Sequence, residues 1–269
     1  MIDNVRKQTV VIVPGFNEPD SDLNTLSEGR RGKPGLKARG YDCRLFPTYE
    51  GTVSERIDRF ALFLDRLKGE VRFPVVSLGY SLGGLVTRGF LRRYSERAAE
   101  VSHTITLGTP HWGMTVDILP MLSAFLHLKD RALDELDLRS EFMRWLNGTG
   151  GHWEGHGKGR NWVLDAEPWL APPGTCVFSI YGAVPHFGGD NDGIVWKDSA
   201  TLGGRLRSSE LRGERANHLN LIGAWNPFVL LIKGFTFDDK VWPEAIARIA
   251  GHVEAHVVAE EAAAGEVAS

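Results

Sequence analysis

Short, continuous apolar runs alternate along the chain with longer segments whose apolar residues recur every three to four positions. Thr9–Pro14 (TVVIVP) is almost entirely β-branched and stops at Pro14-Gly15. A run of this kind suits a parallel strand covered on both faces. Tyr41–Phe46, Phe73–Leu78, Val101–Leu107 and Thr175–Ala183 read as further strands, with a short sixth near Ser208–Arg212. Between them, Ser54–Lys68 carries Ile57, Phe60, Ala61, Leu64 and Leu67 on one helical face. Leu82–Arg97 reads as a helix directly after the third strand, and a last helix spans about Pro243–Glu261. Strands alternating with helices predict an α/β fold with a mainly parallel sheet and right-handed crossovers.

The stretch Met114–Pro173 breaks that rhythm. Its periodicity predicts helices over Val116–Leu128 and Leu133–Leu146, followed by a loop rich in Gly, His and Trp. A connection this long is usually functional.

Composition narrows the classes. The 269 residues fit one α/β domain over 1–269, and 42% hydrophobic residues suffice for a core. The net charge is -3 and no basic stripe is present, which excludes a nucleic-acid binder. The densest basic stretch, Arg30, Arg31, Lys33, Lys37 and Arg39, reads as a solvated face. Cys43 and Cys176 both fall in strands and read as buried free thiols, with a single disulfide as the alternative. The chain runs from its first residues into a strand without an apolar signal region, and no segment has the length to span a bilayer. These features predict a soluble, cytoplasmic protein.

The chemistry concentrates at Gly79-Tyr80-Ser81-Leu82-Gly83. This Gly-x-Ser-x-Gly string lies between an apolar strand and an amphipathic helix, so it resembles the nucleophile elbow of the α/β-hydrolase fold. Ser81 must stand on a tight turn to project its hydroxyl, and the flanking glycines leave room for the backbone. An oxyanion forming there needs fixed N–H donors. The candidates are the N–H of Leu82, just after the nucleophile, and that of Phe16, in the turn Pro14-Gly15-Phe16-Asn17. In this fold an acid and then a histidine follow the serine. Asp192, before Gly193, is the candidate acid, with Asp190 as runner-up. His218 is the candidate base. His186 precedes the acid, while His252 and His256 lie one helical turn apart on the expected surface of the last helix. This chemistry needs no metal or organic cofactor. The cluster His152-Trp153-Glu154-Gly155-His156 has little metal-binding specificity on a Gly-rich loop.

With these residues in place, the sequence resembles the bacterial lipase and esterase branch of the α/β-hydrolases, including the GPI-inositol deacylase-like group and triacylglycerol lipases. The matching stretches are Val11–Phe16, Gly79–Gly84, Leu107–Gly113 (LGTPHWG), Leu136–Asn147, Asp192–Val195 and Asn217-His218-Leu219. The resemblance implies a Ser81–Asp192–His218 triad, a small-molecule or lipid ester as substrate, and a helical cap or lid at about 114–173. The expected partners are that substrate and, transiently, a lipid interface, with no transmembrane segment. Two N-terminal strands of larger relatives are missing, as is the calcium or zinc ligand set that some lipases carry.

His111 and Trp112 are candidate substrate-wall residues, with loop packing as the alternative. Ile118, Leu119, Met121, Leu122, Phe125 and Leu126 give the insertion an apolar face. As a lid this face would bring Leu122 and Phe125 to an acyl pocket, and as a static cap it would pack on the sheet. The expected function is carboxylic ester hydrolysis through an acyl-enzyme. The alternatives are an acyltransferase or a thioester or amide hydrolase using the same triad, and a catalytically inactive hydrolase fold that serves as a binding partner.

Overall fold

The run read as the first strand is β1, Thr9–Val13, buried at every position. The computed structural model describes residues 8–16, 20–47, 50–115, 131–155, 161–184, 191–213, 216–222 and 240–267. After β1 come α1 (Asp20–Glu28), a small hairpin of β2 (Gly29–Arg30) and β3 (Lys33–Pro34), then β4 (Asp42–Leu45) and α2 (Val53–Leu67). The elbow joins β5 (Val75–Tyr80) to α3 (Leu82–Arg93), and β6 (Val101–Leu107) follows. Within the expected insertion lie α4 (Ala132–Leu136), α5 (Glu141–Asn147) and a hairpin of β7 (Gly151–Glu154) and β8 (Asn161–Leu164). The chain then forms β9 (Cys176–Ala183), α6 (Lys197–Thr201), β10 (Arg207–Arg212) and α7 (Val241–Val267).

Among the described residues, six strands form the main sheet in the order β10-β9-β6-β5-β1-β4. Every pairing in it is parallel, which agrees with the α/β reading. The two-residue period of β1 divides the core. Val11 and Val13 join Ile57, Phe60 and Leu64 of α2 and Leu85 and Phe90 of α3 on one face. Val10 and Ile12 join Leu23 and Leu26 of α1 and Trp242, Ile246 and Ile249 of α7 on the other. Each such side chain contributes about 1.5–3 kcal/mol by leaving water. Both faces of the sheet are therefore covered, and the strand ends are left for chemistry.

Several boundaries differ from the sequence reading. The third strand runs on through Gly79 and Tyr80, because both keep their register with Thr106 and Leu107 of β6. The helix expected over 133–146 is two short helices. Between them, Asp137 accepts from the Arg139 N–H at 2.8 Å and Ser140 N-caps α5 by accepting from Met143 at 3.0 Å. These local side-chain bonds satisfy backbone donors outside a helix and so interrupt it. The stretch read as a Gly-, His- and Trp-rich loop carries the β7–β8 hairpin, with Trp153 and Trp162 packed edge to face. Residues 116–130, with Leu122 and Phe125, lie outside the described residues. Cys43 and Cys176 are free thiols in β4 and β9, and burial pushes the Cys43 thiol up to about 11. Lys37 pairs with Glu28 beside the small hairpin. No helix among the described residues is long and apolar enough to cross a membrane.

The described part of the insertion is tied to α3 through a buried cation. Arg88 donates to the carbonyls of Trp169 at 2.7 Å and Leu146 at 3.4 Å, and to Oδ1 of Asn147 at 3.2 Å. Burial, and secondarily the nearby Arg92 charge, push its guanidinium down to about 9. Arg92 also lies over the rings of Trp145 and Trp169.

Candidate active site

The carboxyl end of the sheet gathers the elbow, the loop after β1, the turn after β6 and the loop after β9. Ser81 follows β5 and forms the N-cap of α3 with φ 51 and ψ -122, a region that side chains rarely occupy. Its N–H donates to the Leu107 carbonyl at 2.8 Å, which locks the elbow to the end of β6. The glycines leave the room this turn needs. A Cβ on Gly79 would meet the Gly84 nitrogen at 2.5 Å, and one on Gly83 would strike the carbonyls of Val13 and Pro14. A Cβ on Gly84 would strike the Thr109 side chain.

Pro14-Gly15-Phe16 therefore abuts the first turn of α3, as the pairing of Val13 with Gly79 requires. Leu82 is the first residue of α3, so its N–H has no partner within the helix. Both candidate oxyanion donors lie on backbone beside the elbow.

Asp192 lies in the loop after β9. Its Oδ1 accepts from the N–H groups of Ile194 at 3.0 Å and Val195 at 2.7 Å. Gly193 turns with φ 92, and its N–H donates to Oδ1 of Asn191 at 2.8 Å. Asp192 is fully buried, and its Oδ2 lies 2.7 Å from Nδ1 of His218, itself only 3% exposed. The His218 N–H also donates to the Asp192 carbonyl at 3.0 Å. Tyr80, next to Ser81, donates its hydroxyl to the His218 carbonyl at 3.1 Å, and the two rings are 5.0 Å apart. The histidine and the acid, 26 residues apart in sequence, thus form one buried pair next to the elbow strand. Residue 190, the runner-up acid, lies outside the described residues, as does His186.

Gly108 closes the arrangement from below, between Leu107 and Thr109. It adopts φ 56, and a Cβ there would meet His218 Nδ1 at 2.8 Å and Asp192 Oδ2 at 3.0 Å. Gly108→Ala is expected to destabilise the protein by about 2 kcal/mol, through left-handed backbone strain and overpacking. It should also remove the low-field proton resonance of the His218–Asp192 hydrogen bond. Denaturant unfolding and proton NMR check this, and an unchanged resonance would refute it.

The structure corrects two histidine readings. His252 is half-buried rather than fully exposed, because it stacks on Phe178 with ring centroids 4.0 Å apart and meets His103 edge-on. It also lies 3.8 Å from Cys176, at the opposite end of β9 from Asp192. The His256 side chain lies outside the described residues. His111 is fully buried, with Nε2 3.1 Å from Thr106 Oγ1 and Nδ1 3.2 Å from Arg88. Burial, then the Arg88 charge, hold its imidazole well below the usual histidine range. It therefore acts as a packing and hydrogen-bonding residue that joins β6 to α3, not as an open substrate wall. Trp112 is half-buried, and its backbone N–H donates to Ser199 Oγ at 3.1 Å.

Among the described residues, no group of three or more His, Cys, Asp or Glu side chains could hold a metal ion. His152 instead pairs through Nδ1 with Asp165 at 2.8 Å and through Nε2 with Glu154 at 3.3 Å on the surface of the β7–β8 hairpin.

Six parallel strands flanked by helices, with a strained serine after the central strand and a buried acid–histidine pair beside it, define the α/β-hydrolase fold. No protein-family model and no curated protein matches the sequence. Solved structures do match the fold. The chain is similar to the mature lipase BlEst2 from Bacillus licheniformis at TM-score 0.60 and 19% identity, over 82% of this chain and 88% of that one. It is similar to the metagenomic carboxyl esterase MGS0156 at TM-score 0.61 and 16% identity, over 93% and 77%. It is also similar to the phospholipase PlaB from Legionella pneumophila at TM-score 0.54 and 14% identity, over 91% and 63%. The fold is the one found in these bacterial lipases and esterases.

Proposed function

We propose that the chain is a serine hydrolase that cleaves carboxylic esters, with acyl or lipid esters as substrates, through Ser81, His218 and Asp192. The observation that carries this reading is the buried 2.7 Å contact between Asp192 and His218, placed against the strand whose end presents Ser81. A buried carboxylate on Nδ1 fixes the imidazole tautomer, so Nε2 carries the lone pair that a base needs. The structural neighbours include a lipase, a carboxyl esterase and a phospholipase, which favours an ester as the substrate.

In the first half-reaction His218 Nε2 takes the Ser81 proton as Oγ attacks the ester carbonyl. The N–H groups of Phe16 and Leu82 receive the oxyanion. The intermediate collapses to an acyl-serine, and His218 returns the proton to the departing alcohol. Water, deprotonated by His218, then releases the acid. Asp192 holds the imidazole in place and stabilises the imidazolium. Segment 114–173 caps the acyl side of the site, and Trp112 lines it.

Turnover of p-nitrophenyl acyl esters of graded chain length, compared with thioester and amide analogues, tests the reading. Esters are expected to be the best substrates, and a fluorophosphonate probe should label Ser81 stoichiometrically. Preference for a thioester or amide, or faster acyl transfer to an added alcohol than to water, would reassign the reaction. Absence of labelling in the folded protein would leave a binding role.

A further inference from the structure

The first turn of α2 carries an arginine buried against the turn that follows β1. Arg56 is 3% exposed, donates through NH1 to the Gly15 carbonyl at 3.2 Å, and places its guanidinium 5.6 Å from the Phe16 ring centroid. Its backbone is held firmly. Thr52 and Glu55 form a reciprocal capping box at the start of α2, and the N–H and hydroxyl of Ser54 both donate to the Glu135 carboxylate. A guanidinium carried into the interior loses its hydration and must be met by acceptors, so its place here has a definite consequence.

The Gly15 carbonyl and the Phe16 N–H are the two ends of one planar trans peptide and point in opposite directions. Holding the oxygen therefore aims the hydrogen. A charge-assisted bond to the oxygen also polarises the unit and strengthens the N–H as a donor. We propose that Arg56 is a positioning residue for the oxyanion hole, fixing the Gly15–Phe16 peptide so that the Phe16 N–H faces the Ser81 site. The proposal rests on the serine-hydrolase reading. It adds a cation that touches neither substrate nor reacting atoms and acts through one peptide unit.

Arg56→Gln is expected to lower kcat roughly 10- to 100-fold while KM changes less than about threefold, because an oxyanion donor acts on the transition state more than on the bound ester. Arg56→Lys keeps a charged donor to Gly15 and should recover part of that loss. In protein labelled with 15N-phenylalanine, the Phe16 amide proton should move downfield when a phosphonate adduct forms on Ser81, and move less in Arg56→Lys. A merely structural role would lower the melting temperature without changing kcat of the folded enzyme or the Phe16 shift. If Arg56→Gln does not fold, the Lys variant decides by the same two readouts. Wild-type kcat and Phe16 shift in the variant, or no Phe16 shift in the wild-type adduct, overturn the proposal. Retained turnover in Ser81→Ala, or labelling at another residue, would instead bring down the serine reading itself.

Discussion

Replacing Ser81 with alanine is expected to lower kcat by about 10⁴- to 10⁶-fold, leaving only the residual effect of binding and the oxyanion donors. The fold should survive. The Ser81 side chain makes no helix-capping hydrogen bond, so removing its oxygen leaves no cap unmet. Alanine keeps the same φ of 51, and with it the same strain, so the melting temperature should move by only a few degrees. Glycine separates the two effects. A side chain at this backbone position costs about 1–3 kcal/mol, whereas glycine adds about 0.4–1 kcal/mol of unfolded-state entropy. The strain exceeds the entropy, so Ser81→Gly should be inactive yet about 1 kcal/mol more stable than the wild type. Denaturant unfolding and p-nitrophenyl ester turnover measure both quantities. Turnover above about one percent in Ser81→Ala, after exclusion of contaminating esterase, would remove the nucleophile from the scheme.

Features whose physics is local could be read from the sequence. The β-branched run of β1, the amphipathic face of α2 and the glycine spacing around Ser81 each specify one backbone state, and the structure has all three. The pairing of Asp192 with His218 followed from the chain order of the fold, because both residues leave strand ends on the same edge. Features that depend on distant partners were misread. His252 reads as exposed because it lies one helical turn from His256 on the last helix, but its ring is taken up by Phe178 on β9. His111 looked like a site residue because it follows a strand end, but Arg88, 23 positions earlier, occupies one of its nitrogens. Arg56 carries a charge, which by itself suggests solvent. Its spacing says otherwise, since it lies three residues after Val53 and four before Phe60, both on the buried stripe. A cation on an apolar stripe is the sequence signal that something in the interior accepts its hydrogen bonds.

Asp192→Asn is expected to lower kcat by about 10⁴-fold while costing less than about 1 kcal/mol of stability. The two carboxylate oxygens have different partners: Oδ1 accepts from the N–H groups of Ile194 and Val195, and Oδ2 faces Nδ1 of His218. Asparagine can place its oxygen on only one side. With the oxygen toward His218, one buried and one part-buried N–H group would face an NH2 group, at about 1–3 kcal/mol each. A penalty of at least about 2 kcal/mol makes that orientation a minor one, roughly one part in thirty. The oxygen therefore stays with the backbone and the NH2 turns to His218. To avoid a donor meeting a donor, the imidazole must present a lone pair at Nδ1 and carry its proton on Nε2. The nitrogen that should take the Ser81 proton is then already protonated. Every buried polar group keeps a partner, so the fold holds while the base is lost. Asp192→Ala should differ, because it strands both backbone donors and the imidazole and should cost about 3 kcal/mol or more. Steady-state turnover and thermal unfolding of the two variants separate the effects. Asparagine at 192 with kcat within tenfold of the wild type would assign the orienting carboxylate to another residue. Low turnover together with a melting temperature as low as that of the alanine variant would mean that the amide oxygen does not hold the Ile194 and Val195 donors.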